Sequence, residues 1–121
     1  MKYSKLNSKF EKIGTEEPLV LYHVGSSSVE YEVPSISKFK TIRMAIEYST
    51  GTRYQTLDIP MNKFKDNKVG VIYHINITSS GGFDYAMNFI LRYVDDTHIS
   101  ISGTNSNDAS KNRTCSVYGV Y

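Results

Sequence analysis

An antiparallel all-β sandwich is the fold class that this sequence predicts, on three observations. Apolar residues recur at every second position through most of the chain, short turn signals separate these runs, and a helical period is confined to the first thirteen residues. The size is that of one domain: 121 residues, 40% hydrophobic and 21% charged, both ordinary for a globular chain. A chain of this length buries roughly two-thirds of the surface its unfolded form exposes, so a core forms without disulfides or metal. The single cysteine, Cys115, argues against a disulfide-stapled secreted scaffold, fits a reducing cytoplasm and predicts a small buried residue in a strand.

Residues 1–17 read as an amino-terminal arm and residues 18–121 as the sandwich domain. In the arm, Tyr3, Leu6, Phe10 and Ile13 are spaced three, four and three apart, on one side of a helix ending near Gly14. The same spacing fits an a/d seam, so the arm is either a small amphipathic helix on its own domain or a docking and oligomerisation segment. So few turns are marginal as a free helix, which favours a docking arm. The arm also holds the basic character of the chain. Lys2, Lys5, Lys9 and Lys12 against Glu11 give residues 1–13 a balance of +3, while the whole chain carries only +2. That net charge is too small and too dispersed to predict nucleic-acid binding. Leu19 to Tyr22 is the longest apolar run near the amino terminus, well short of a signal peptide or a membrane span.

From Leu19 the period changes to two. Val29, Tyr31 and Val33 alternate with Ser28, Glu30 and Glu32, and Ile42, Met44, Ile46 and Tyr48 alternate with Thr41, Arg43, Ala45 and Glu47. Pro34 ends the first of these strands, and the serines after it suit a turn or one helical turn. Ser49 to Thr52 signals a turn into a strand carrying Leu57 and Ile59, closed by Pro60. Asn62 to Asn67 reads as a polar surface loop with Phe64 tucked inward.

The longest strands follow. Val69, Val71, Tyr73, Ile75 and Ile77 form one expected core face, and Phe83, Tyr85, Met87, Phe89, Leu91 and Tyr93 another, joined by the hairpin signal Ser79-Ser80-Gly81-Gly82. Asp95-Asp96 marks a tight turn into Ile99 and Ile101, residues 103–112 form a polar loop, and the chain ends as a strand through Cys115, Val117 and Val120. Seven or eight short strands with no helix inside the domain predict a jelly-roll-like sandwich, with a closed barrel as the alternative.

The three histidines, one cysteine and dispersed carboxylates form no catalytic or metal-ligand motif, so neither an enzyme nor a metal or cofactor site is expected. Asp95-Asp96 lacks the ligand ladder of a calcium loop, and the Ser-Ser-Gly-Gly turn lacks the lysine and following helix of a phosphate loop. Asn76-Ile77-Thr78 and Asn112-Arg113-Thr114 match the glycosylation sequon by coincidence of a weak pattern. Ten tyrosines and no tryptophan suit interfaces and sugar stacking, but Tyr31, Tyr48, Tyr73, Tyr85 and Tyr93 fall on expected core faces. That leaves Arg53 and Tyr54, just after a turn, with Asn105, Asn107 and Asp108 of the polar loop, as the candidate ligand-binding residues. A carbohydrate-binding module outside a virion is the alternative reading they open.

In their order, these features are similar to the small β-sandwich domains at the carboxyl ends of bacteriophage minor structural proteins, in tail, tail-fibre or head-fibre components. The resemblance runs from about Pro18 to Tyr121. It rests on Leu19-Val20-Leu21-Tyr22 with Gly25 soon after, on Ser37-Lys38-Phe39-Lys40-Thr41-Ile42 leading into a strand that ends at Tyr48, on Leu57-Asp58-Ile59-Pro60, and on the closing Val117-Tyr118-Gly119-Val120-Tyr121. The resemblance implies a non-enzymatic virion protein assembled in the host cytoplasm, often trimeric, that meets other virion proteins and a host-surface glycan. It implies neither nucleic-acid nor membrane binding. Such domains follow long fibre or tail regions, whereas here 17 residues precede the expected sandwich.

Overall fold

The computed structural model describes residues 13–23, 28–48, 53–77, 83–105 and 113–121; for 48, 54, 74–77, 83–87, 104, 105 and 113 the backbone alone is described. The chain is an all-β sandwich of two four-stranded antiparallel sheets. Its strands are β1 (Glu16–His23), β2 (Val29–Glu32), β3 (Thr41–Tyr48), β4 (Arg53–Pro60), β5 (Val69–Ile77), β6 (Phe83–Asp95), β7 (His98–Asn105) and β8 (Arg113–Val120). The first sheet has the order β1-β8-β3-β4 and the second β2-β7-β6-β5. The outer pairs nest as a jelly roll nests them, β1 with β8 and β2 with β7, while the inner strands pair as the hairpins β3–β4 and β5–β6.

Between the sheets lies one apolar core. Ile42, Met44 and Ile46 of β3 and Cys115 and Val117 of β8 meet Phe89 and Leu91 of β6 and Ile99 and Ile101 of β7, all fully buried. Tyr22 of β1 sets its ring edge-on against Phe89, with centroids 6.0 Å apart, tying the two sheets together. Cys115 is buried as its strand phase predicts, and burial pushes its thiol up to about 12.

Residues 103–105, expected at the start of a polar loop, belong to β7 instead, and three further readings change. Residues 62–67 lie in a helix, α1 (Met61–Asn67), rather than a loop. Met61 and Phe64, three apart, bury one side of it, and Lys68 closes it in the left-handed conformation (φ 63°), donating its N–H to the Phe64 carbonyl. Phe64 is fully buried, as expected, with its ring edge-on to Tyr93 at 5.9 Å. Second, the phase of β5 is inverted. Gly70 and Ile72 pair with Leu91 and Phe89, and residues directly opposite in a ladder share a face, so those two point inward. Val69, Val71 and Tyr73 therefore lie outside, 41%, 46% and 54% exposed. At Gly70 the backbone comes close to the facing sheet, where a Cβ would stand 2.2 Å from Ile59 Cδ1. Third, the sheet begins before residue 18, since Glu16 and Glu17 pair with Val120 and Gly119.

The two ends of the sandwich differ. At one end, Asp96 accepts hydrogen bonds from the hydroxyls of Ser35 and Ser37 and from the Ser37 N–H (3.1 Å), locking the β6–β7 turn to the 3-10 turn Ile36–Lys38. Lys65 of α1 bonds the Ser37 hydroxyl there. At the other end, the strand ends flanking four connections meet. The register pairs His23 with Thr114, Tyr48 with Arg113, Glu47 with Arg53 and Ile77 with Phe83, while Asn105 pairs with Met87 near the start of β6.

Candidate functional site

Charged and aromatic side chains of the first sheet converge on its outer face. Arg43 projects from β3 between Asp58 of β4 and Tyr118 of β8, its neighbours in the ladder. It donates two hydrogen bonds to Asp58 (2.6 and 2.7 Å), a planar fork matched to a carboxylate, and a third to Glu16 (2.8 Å). Arg53 donates two to Glu16, both 2.8 Å, and one to Glu47 at 3.3 Å. Its guanidinium lies 4.6 Å from the centroid of the Tyr118 ring, and the Tyr118 hydroxyl donates to Glu47. Two arginines, three carboxylates and a tyrosine thus form one network across all four strands.

Its electrostatics follow from that geometry. The Arg53 hydrogen bonds, reinforced by Arg43, hold the Glu16 carboxyl at about 2, and the Arg43 fork lowers that of Asp58. Both arginines are raised further above an already high value, so they, Glu16 and Asp58 stay charged through the physiological range. The network also roofs the sheet. Ala45, Glu47, Thr114 and Ser116 point outward yet are buried, so the middle of β3 and β8 is covered on both faces.

Beside the network, the bulge in β1 between Pro18 and Val20 opens a shallow groove of about 320 Å³, lined by Pro18, Leu19, Val20, Leu21, Ser116 and Tyr118. Its rim includes Leu21, 56% exposed.

The terminal Val117 to Tyr121 segment is built into the fold, with Val120 buried and its carbonyl accepting from the Lys40 N–H at 2.8 Å. Val117 fills the core, Tyr118 supports Arg53, and Gly119 lets the Phe39 ring lie on the backbone, where a Cβ would stand 2.5 Å from the ring. Tyr121 then meets Phe39 edge-on at 4.9 Å and donates to Glu17 at 2.7 Å, with Lys38 over both rings.

Of the candidate ligand residues, Arg53 lies in this network, each of its three guanidinium nitrogens donating to a carboxylate. Tyr54 is in β4 and Asn105 ends β7, but their side chains lie outside the described residues, as do Asn107 and Asp108 entirely. The backbone does bring the two candidate regions to one end of the sandwich, through the Tyr48–Arg113 and Glu47–Arg53 pairs. Tyr3, Leu6 and Phe10 also lie outside the described residues, and Ile13 is 55% exposed. Of the tyrosines expected in the core, Tyr31 and Tyr93 pack partly buried against it, Tyr73 lies outside through the inverted phase of β5, and the side chains of Tyr48 and Tyr85 are outside the described residues. Glu16, Arg43, Glu47, Asp58 and Tyr118 carry no signature in the sequence; the one signal, opposite charges on outward positions of neighbouring strands, needs the register to be seen. Asp95 is taken by its own turn, accepting from Thr97 (2.9 Å) and pairing with His98 Nδ1 (2.8 Å). Among the described residues, no three His, Cys, Asp or Glu side chains group to hold a metal ion, and no helix is long and apolar enough to cross a membrane.

Compared with protein-family models, curated proteins and solved structures, the chain matches none.

Proposed function

We propose that the chain is a non-enzymatic binding and assembly module of a bacteriophage particle, a tail, tail-fibre or head-fibre component that decorates the particle or attaches it to the host surface. Its setting is the virion, and its partners are copies of itself, other virion proteins and a host-surface glycan. The structural observation that supports a binding role is the arrangement of the strand ends. A rigid sandwich carries the Arg53–Tyr54 segment and the polar 106–112 connection at one end, as binding sites are carried on rigid β scaffolds. The phage setting rests on the sequence resemblance.

Particles purified from the phage-producing culture that encodes the chain, probed with an antibody against the sandwich, are expected to carry it at fixed stoichiometry. Particles without it, together with a purified protein retained by neither particles nor host cells, overturn the proposal. Within it, the double variant Asn107→Ala, Asp108→Ala is expected to weaken host-cell binding at least tenfold and leave incorporation intact.

A further inference from the structure

The groove beside the charged network is almost wholly apolar, with Pro18, Leu19, Val20 and Leu21 from the edge strand β1 and Ser116 and Tyr118 from its neighbour β8. The chain enters β1 through Ile13 and Gly14. Gly14 donates its N–H to the Tyr121 carbonyl at 2.7 Å and holds a left-handed backbone, φ 80°. A Cβ there would meet nothing within 4 Å, so glycine is needed for its conformation and not for space. Glycine in this conformation is what stops a helix just past its last turn, and it stands where the apolar stripe Tyr3, Leu6, Phe10, Ile13 ends.

We propose that the arm, residues 1–13, docks as a helix into the groove of its own domain, folded back along β1. Reach, tether and charge select this occupant. From Ile13 to Tyr3 a helix rises roughly 15 Å, and residues 18–21 lie roughly 13–23 Å along the strand from Gly14, so Tyr3 and Leu6 come to the groove. A short tether holds the arm at an effective concentration on the order of 1 mM, so a contact of only about 100 µM affinity keeps it docked about nine-tenths of the time. A foreign apolar segment has no such advantage. Lys2, Lys5, Lys9 and Lys12 each directly precede a residue of the stripe and make a basic row beside it. The network next to the groove has the opposite excess, since Glu16, Glu47 and Asp58 outnumber Arg43 and Arg53. Docking also supplies the tertiary contact that so short a helix needs to form. It goes beyond the assembly reading and does not depend on it, because isolated protein tests the arm and particles test the assembly.

Trypsin cuts the open population, so digestion of the full chain at about 5 µM, read by mass spectrometry, is expected to cleave after Lys9 and Lys12 about tenfold more slowly in wild type than in two variants. Leu21→Asp puts a charge on the exposed rim of the groove, and Phe10→Asp breaks the stripe outside the sandwich strands. Unchanged cleavage after Lys63 and Lys65 of α1 checks that the sandwich stays folded in both. Equal cleavage of the arm in all three proteins overturns the inference. So does protection that appears only as the concentration rises toward about 200 µM, the sign of an arm held by another copy.

Discussion

The two sheets share one interior and treat their outer faces in opposite ways. Over the first, Arg43, Arg53 and Tyr118 bridge three carboxylates from separate strands and cover the middle of β3 and β8. At the edge of the second, Val69, Val71 and Tyr73 stand exposed on β5. The difference teaches that alternation reports a strand without reporting what lies over each face. A polar residue on an outward position becomes buried when neighbours roof it, and an apolar one becomes exposed when the alternate positions of its strand face the core.

The largest effect comes from breaking what the sheets share. Phe89→Ala removes the ring that joins Tyr22 across the interior, and about 3–5 kcal/mol of stability is expected to go with it, measured by urea unfolding. Next, two glycines separate a rigid from a yielding approach. Gly119→Ala drives a Cβ into the buried Phe39 ring and should cost about 2–3 kcal/mol, near 10 °C in melting temperature. Gly70→Ala meets only the end of the Ile59 side chain, which can turn away, and should cost about 1 kcal/mol.

The network is tested by pH. Because the Glu16 carboxyl is depressed to about 2, its contribution is present above the ordinary value of 4.5 and is lost as pH falls from there through about 2. Glu16→Gln is expected to lose about 1–2 kcal/mol at pH 7, a partly exposed pair being discounted for screening, with the gap to wild type closing near pH 2. The smallest effect belongs to the second sheet. Asp95, then Glu30 and Glu32, raise His98, so its contribution is complete below 6.5 and is lost as pH rises through the raised value. NMR titration should place His98 above 6.5, and Asp95→Asn should bring it down.

How much of this was legible follows from particular residues. The strands β2, β3, β6 and β7 show their inner faces in alternation, and Val33, Met44, Leu91 and Ile101 are buried as that alternation requires. α1 was not legible, because seven residues hold too little of a helical period and its stop is Lys68 in a conformation that glycine usually supplies. Of the candidate site, Arg53 was visible as a residue after a turn, but its partners Glu16 and Glu47 lie 37 and 6 positions away and became neighbours only through the ladder.

By itself the sequence determined the strand class, the buried cysteine and the turn at Asp95-Asp96, because each depends on local periodicity or on a side chain reaching its own backbone. Only the tertiary structure decided which face of β5 is buried and where Arg43 and Arg53 find their carboxylates. Those outcomes depend on register between strands far apart in the chain, and a shift of one residue there exchanges inside for outside.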